Sequence, residues 1–395
     1  MTVRVLLIPS SDYTGHPFPQ RYHHLFERLN NTTEFEVHVV RFPIYKTHRR
    51  ETKLEVHEFA TEIRCKKLPL YYFLNMPFHG TAIRSLVRRE KIDIVAMANL
   101  APPFAYKIIQ QLARDNTPTL FDVQDYFPTS AAGFFFGSGS FGTREKLVRS
   151  GLHPFLKYLV SHATCVTAAS QALANLSSKL GAKKVIYLPN GISERFLDQY
   201  DGTEIREKLE YSETDIVIGY IGSMEFWLDM LTLIRGVRLA KDQGKHVKLM
   251  LIGGNLQTDY SKQVLKWLEK VKDITTWLNF VPFDVVPHYI AAMNFGTMPY
   301  DPEITYYAGP VKLWEYLSQG LPTLAAPIPE TILHKSYLHI VRTPEDYSRI
   351  IAKYDQNPKP FIERALEGKK HSIEQTWGHQ SLKLSAILKS LMNSN

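Results

Sequence analysis

Short runs of aliphatic and β-branched residues alternate with amphipathic stretches along nearly the whole chain, and this alternation constrains the fold more than any other feature. Strands buried on both faces read as near-continuous apolar runs, and parallel neighbours must be joined by crossover helices. In the first half such runs lie at 3–8, 35–41, 94–98, 119–123, 164–168 and 184–187. In the second half they lie at 216–221, 248–252, 278–281, 297–299, 323–325 and 339–341. Helical patterns follow at 21–29, 231–241 and 260–271, and a last one runs from about 373 to 392. A polar stretch, 193–213, separates the halves. The pattern predicts an α/β protein of two doubly wound domains, residues 1–200 and 201–372, with the helix 373–395 returning to the first. Ligands of open α/β sheets bind beyond the carboxyl ends of the strands, so a site in a cleft between two facing sheets is expected.

Bulk properties narrow the class. A chain of 395 residues can bury two cores, and 44% hydrophobic with 22% charged residues describes a folded protein, not a disordered one. Cys65 and Cys165 have no metal-binding or disulfide spacing, which suits a reducing compartment. The opening MTVRVLLIP reads as a first strand and not as a signal peptide, and no apolar run approaches the roughly 18 residues of a spanning helix. A cytoplasmic protein, free or peripheral on the membrane, is expected. The net charge of +8 is concentrated in the first half, at Lys46 to Lys53, Arg64 to Lys67, Arg84 to Lys91 and Arg144 to Lys157. That asymmetry fits an anionic membrane surface better than nucleic acid, and solvated faces account for part of it.

The segment GPVKLWEYLSQGLP, 309–322, carries the clearest chemistry. Gly309 permits close approach, Pro310 suits a first helical position, and the free N–H groups of the first turn point outward with the positive end of the helix. Lys312 adds a full charge, and Glu315 follows on the same face as an acceptor suited to paired hydroxyls. One reading is diphosphate at the tip and ribose one turn in; the other is a surface helix with an i,i+3 ion pair.

Further candidates sit at strand ends. After the first strand come Gly15, His16 and Arg21, with room for a ligand and donors to hold it. After the fourth come Asp122, Gln124 and Asp125, where a carboxylate could orient an acceptor hydroxyl or cap a turn. The segment 131–142, rich in glycine and phenylalanine, is either a buried connection or a flap touching lipid or an apolar acceptor. LPNG at 188–191 predicts positive φ at Asn190 or Gly191. Gly222 and Ser223 end the strand GYIGS with side chains small enough for a phosphate to meet backbone, and LIGGN follows at 251–255. Neither the GxGxxG nor the Walker A fingerprint occurs.

Taken in order, these segments resemble the retaining glycosyltransferases of the family 4 group, with the GT-B fold of two Rossmann-like domains facing across a cleft. The match rests on Gly15 with Arg21, LPNGI, GYIGS, LIGG, FVPFDVVPHYIAAMNFGTMPY and above all GPVKLWEYLSQGLPTLAA, which is similar to P-x-K-L-x-E-Y-x-x-x-G-x-P. The resemblance implies that Glu315 binds ribose of a UDP- or GDP-linked sugar. It implies that Gly309, Pro310, Val311 and Lys312 meet the diphosphate together with Gly222 and Ser223, that Gly15 faces it with Arg21, and that backbone near Val281 holds the base. Lys312, Asp125 and His16 are the catalytic candidates. Three positions depart from the pattern: Met224 and Leu228 stand where many relatives carry arginine and lysine, Tyr307 where many carry an acid, and Gln124 with Asp125 where a histidine is common. Transfer with retention and without a metal or other cofactor is expected, because no ligand cluster is evident in the sequence. The expected acceptor is lipid-linked or a saccharide, in glycolipid, surface-polysaccharide or protein-glycan synthesis. A sugar-nucleotide epimerase or a non-catalytic nucleotide-sugar sensor are the competing readings.

Overall fold

A computed structural model describes residues 2–16, 18–42, 50–59, 68–99, 102–130, 142–254 and 259–393. The chain divides into two compact units: Met1–Gly191 with Tyr307–Gly309 and Trp377–Asn395, and Ile192–Tyr306 with Pro310–Thr376. The first change of unit falls at Gly191, before the expected residue 200, for a local reason. Ile192 donates its N–H to Gln375 O (2.8 Å) and bridges Thr376, while Gln319 Nε2 donates to Phe196 O (2.6 Å). Residues 192–200 are thereby tied into the second unit.

The first unit is a seven-stranded parallel sheet of β1 (Val3–Pro9), β2 (Phe35–Arg41), β3 (Glu55–Glu58), β4 (Ile94–Ala98), β5 (Thr119–Val123), β6 (Cys165–Ala168) and β7 (Val185–Tyr187). Their spatial order is β3-β2-β1-β4-β5-β6-β7. Alternate side chains point to opposite faces, and each face has its own core. Leu6 and Ile8 join Val40, Ile83, Ile108 and Leu159 on one side. Val5 and Leu7 join Leu25, Phe26, Trp377, Leu384 and Leu388 on the other. The last helix, Trp377–Met392, therefore completes the first unit's core, as expected for a returning helix. Trp377 stacks on His24 at 4.8 Å, and Ser381 Oγ donates to Leu25 O (3.0 Å).

The second unit is a six-stranded parallel sheet of β8 (Ile216–Ile221), β9 (Val247–Ile252), β10 (Thr275–Leu278), β11 (Phe295–Met298), β12 (Thr323–Ala325) and β13 (His339–Ile340), in the order β10-β9-β8-β11-β12-β13. Both faces are covered, so Val217, Ile218, Leu249, Met250 and Leu251 are all fully buried. Helix Met230–Asp242 packs against Pro344–Gln356, with Gly236 pressed to Tyr347.

Two strands differ from the sequence reading. β3 lies in EVHE, an edge strand whose charges hide it from an apolar pattern. β10 lies at Thr275–Leu278 and not at 278–281; Phe280, inside the expected range, is 72% exposed. Lys46, His48, Arg49, Arg64, Lys66, Lys67 and the segment 131–141 lie outside the described residues. Part of the remaining basic charge is neutralised: Arg84 and Arg88 both hold Asp115 at 2.7 Å, and Arg89 holds Glu90 at 2.7 Å. The two arginines keep the Asp115 carboxyl well below the usual range. Among the described residues no helix is long and apolar enough to cross a membrane.

Candidate active site

In the second unit the strand order reverses between β8 and β11, the place where doubly wound sheets bind ligands. β8 runs out into Gly222, whose φ of +140° suits glycine. The loops beside it are laced by backbone: Gly222 N–H donates to Ile252 O (2.8 Å) and Gly253 N–H to Leu278 O (2.8 Å). A Cβ on Gly253 would lie 2.7 Å from Gly222 O, so these strand ends form a bare backbone floor. Trp277 Nε1 donates to Gly253 O (2.8 Å), and Tyr220 Oη donates to Ser223 O (2.7 Å), leaving the Ser223 side chain exposed.

Lys312 opens the helix Lys312–Ser318. Leu313, Trp314, Tyr316 and Leu317 bury its apolar face, and Tyr316 Oη accepts Ile221 N–H at 3.3 Å. Lys312 and Glu315, on the remaining face, are half-buried. A Cβ at Gly222 would come 2.7 Å from Lys312 Nζ; only glycine leaves room for the ammonium group, which sits 5.6 Å over the Tyr220 ring. Among the described residues, Lys312 and Glu315 make no ion pair with each other: Lys312 reaches Glu315 through its field alone. Burial raises the Glu315 pKa, and that field opposes the rise. Of the two readings of this helix, the surface ion pair is not what the structure contains.

The helix also begins later than expected. Val311 is the N-cap, in αR geometry, and Pro310 lies buried before it. Gly309 is placed in the first unit, where its carbonyl accepts Asn190 Nδ2 (2.8 Å) and a Cβ would lie 2.4 Å from Ala169 O. Its close approach is to backbone. The shorter helix leaves the N–H groups of Val311, Lys312 and Leu313 without intrahelical acceptors. Val281 is half-buried in the loop beyond β10. Met224 and Leu228, which replace the usual cations, are 0% and 3% exposed and pack inside the unit.

In the first unit Arg21 is committed internally. Nε and Nη2 hold Asp122 at 3.0 and 3.2 Å, Nη1 donates to Pro189 O (2.8 Å) and Asn190 Oδ1 (3.2 Å), and Nη2 also donates to Leu188 O (2.7 Å). All five N–H donors of a guanidinium are spent, leaving none for a diphosphate. This clamp also explains why neither Asn190 nor Gly191 takes positive φ: the LPN backbone is held by Arg21, not by a tight turn. Asp122 accepts from Thr167 Oγ1 (2.7 Å) and Gln124 Nε2 (3.0 Å) as well, so it is a buried hub. Gly15 is buried, its N–H donating to Asp12 Oδ1 (3.0 Å), and Asp12 in turn is held by Arg41 Nε (3.0 Å). His16 Nδ1 lies 2.7 Å from Phe18 O on a half-buried ring. Asp125 remains open to solvent while crowded by surrounding chain, which raises its pKa; Asn99 Nδ2, at 3.4 Å, opposes the rise. Asn99 itself adopts φ +47° and accepts the Gln124 and Asp125 N–H groups (3.1 and 3.3 Å). Tyr307 packs against Tyr126 with ring centroids 4.8 Å apart and planes tilted by 39°, and its carbonyl accepts Ser170 Oγ (2.8 Å).

Sequence reading missed Asn99, whose signal is only that asparagine tolerates the left-handed region. It also missed a group of metal-capable side chains, His38, Glu55 and His57, which only strand pairing brings together.

Comparison with known proteins follows the same division. Residues 21–196 match the family model described as Glycosyltransferase Family 4, and residues 215–356 match Glycosyl transferases group 1. TuaH of Bacillus subtilis (strain 168), a candidate teichuronic acid biosynthesis glycosyltransferase, is 28% identical over 187 residues. That match covers 46% of this chain and 45% of TuaH, so the chain spans less than half the length of this curated relative. Sucrose-phosphate synthase from Thermosynechococcus elongatus superposes with a TM-score of 0.76 at 13% identity, over 99% of this chain and 100% of that one. Anabaena HepE in complex with UDP-glucose gives 0.71 at 14% identity, over 98% and 99%. The chain belongs to the group 1, family 4 glycosyltransferases and has their GT-B fold of two Rossmann-like units.

Proposed function

We propose that this glycosyltransferase takes its sugar from a UDP-linked donor held in the second unit and passes it, with retention, to a hydroxyl of a saccharide or lipid-linked acceptor. The observation that carries the reading is the Lys312 ammonium, without an ion pair among the described residues, beside the bare backbone of Gly222, with Glu315 on the same face. A cation at a strand-end glycine, with no carboxylate partner among the described residues, suits a diphosphate. A desolvated carboxylate three residues on suits the paired hydroxyls of ribose, which return the hydrogen bonds burial removed. The HepE complexes with UDP and UDP-glucose favour uracil as the base, met by backbone near Val281.

On this reading negative charge grows on the diphosphate as the sugar bond breaks, and preorganised donors aimed at that charge lower the barrier. Those donors are Lys312 Nζ, the N–H groups of Val311, Lys312 and Leu313, and the backbone at Gly222 and Ser223. The departing diphosphate oxygen takes the acceptor proton on the same face of the sugar, so configuration is retained. The charge is met by the chain's own groups without a divalent ion. In the first unit Asp125 and His16 are the acceptor-side groups, Asp125 orienting the hydroxyl; Arg21 is removed from the donor set because its donors are spent. A cytoplasmic, membrane-peripheral setting suits a lipid-linked acceptor.

Calorimetry with UDP and a panel of UDP-sugars tests the assignment. Wild type is expected to bind UDP, Glu315→Gln to bind it at least about tenfold more weakly, and Lys312→Ala to lose turnover more than affinity. Wild-type affinity and turnover in both variants would remove the site. A sensor would bind UDP-sugars yet return them intact with every acceptor.

A further inference from the structure

We propose a transition-metal site of the zinc class at the edge of the first unit's sheet, built by His38, Glu55 and His57; it is independent of the donor reading. Parallel pairing places His38 opposite Glu55 and Val40 opposite His57, so the three side chains rise on one face of neighbouring strands β2 and β3. Their donor atoms converge. His38 Nδ1 and His57 Nε2 share a hydrogen bond of 2.9 Å whose proton a bound ion would displace; His38 Nδ1 lies 3.5 Å from Glu55 Oε2, and His57 Nε2 lies 3.6 Å from Glu55 Oε1. Zinc bonds of about 2.0–2.1 Å place tetrahedral donors about 3.3 Å apart, a spacing these three separations bracket. The rings are 11° from parallel with centroids 5.2 Å apart, so their nitrogens meet edge to edge, not through stacked faces.

The surroundings fit a ligated imidazole. His38 is 2% exposed, and its other nitrogen, Nε2, stands 3.3 Å from Glu36 Oε1. Glu36 Oε2 is in turn held by Arg4 Nε at 2.9 Å. His38 Nε2 has no hydrogen-bond partner among the described residues; a small turn of Glu36 would let its carboxylate take the Nε2 proton and free Nδ1 for a cation, the arrangement found behind most metal-bound histidines. Arg89 and Glu90, paired with each other at 2.7 Å, act on His57 through their charges in opposite directions. Glu55 is 53% exposed and gives the ion a way in, with solvent free to supply a fourth ligand. Two imidazoles and a carboxylate select zinc-like ions over magnesium or calcium, which prefer all-oxygen sets. The bond joins two strands: the ion pins the four-residue edge strand β3 to β2.

Zn2+ and the spectroscopic substitute Co2+ are the probes, added to chelator-treated full-length protein. One Zn2+ per chain is expected, with a tetrahedral Co2+ visible spectrum and slower amide exchange across Glu55–Glu58. Glu55 is half-exposed and His57, though mostly covered, lies on the edge strand; His57→Gln and Glu55→Gln are expected to keep the fold by circular dichroism, and each to weaken binding by at least tenfold. Glu36→Gln, which touches no ion, is expected to weaken it about 10–100-fold through His38. No saturable binding in the wild type overturns the site. So does equal binding by the His57→Gln/Glu55→Gln double variant, which would place the ion among the chain's other histidines.

Discussion

Glu315 carries a tension that one substitution exposes. Burial raises its pKa, so the folded chain holds a proton there at pH values where the unfolded chain has lost it. Stability from this group therefore falls as pH rises from the ordinary carboxylate value through the raised one, and remains lost above it. Glu315→Gln removes that penalty. Scanning fluorimetry should show the ligand-free variant melting higher than wild type at neutral pH and no higher below the ordinary carboxylate range, while UDP affinity falls at least about tenfold. Equal melting at both pH values would mean that the carboxylate is not strained by burial. Arg21 makes the opposite case. Lysine cannot supply five fixed donors, so Arg21→Lys leaves Asp122 and the Leu188 and Pro189 carbonyls short of partners. A loss of about 3–5 kcal/mol by urea denaturation is expected, with UDP affinity intact in the protein that remains folded. Undiminished stability with lost affinity would restore Arg21 to the donor site.

Among elements, the glycine floor and the short helix act together. Gly222→Ala brings its Cβ to 2.7 Å from Lys312 Nζ and 2.8 Å from Cε, the far end of a flexible side chain, so the ammonium must leave. Gly253→Ala meets backbone instead, at Gly222 O. Both bear the cost of positive φ, about 1–3 kcal/mol. Gly253→Ala should lose more stability in urea melts, and Gly222→Ala should lose proportionally more kcat/KM; the reverse order would dissociate Lys312 from the chemistry. Much of this element was readable beforehand, because Lys312, Glu315 and the strand before Gly222 are local patterns. What was unreadable was non-local. Nothing in the sequence says that Arg21 meets Asp122, that Gly309 is spent on Ala169, or that His38 meets His57 across a strand pair. Apolar periodicity located β1, β2, β4 and β5 because they are buried on both faces, and it failed at β3, where EVHE has only one apolar residue.

At the scale of the whole molecule, the last helix separates what stabilises the protein from what the proposed donor site needs. Trp377, Leu384, Ile387, Leu388 and Leu391 lie in the core that also holds Val5, Leu7 and Leu25, so the chain's final segment is part of the first unit's interior. Leu388 is fully buried, and Leu388→Ala should cost about 2–5 kcal/mol through lost transfer energy and the cavity left behind. Hydrogen exchange resolves where that cost falls. Amides of β1, β2 and helix Arg21–Asn30 should lose protection, while those of β8, β9 and β10 keep it, because the affected core contains no residue of the second unit. UDP should then protect the β8–β10 ends equally in wild type and variant if its contacts are those of Gly222, Lys312 and Glu315. Weakened UDP protection in Leu388→Ala would show that nucleotide binding draws on the first unit's core, and the donor site could not then be assigned to the second unit alone.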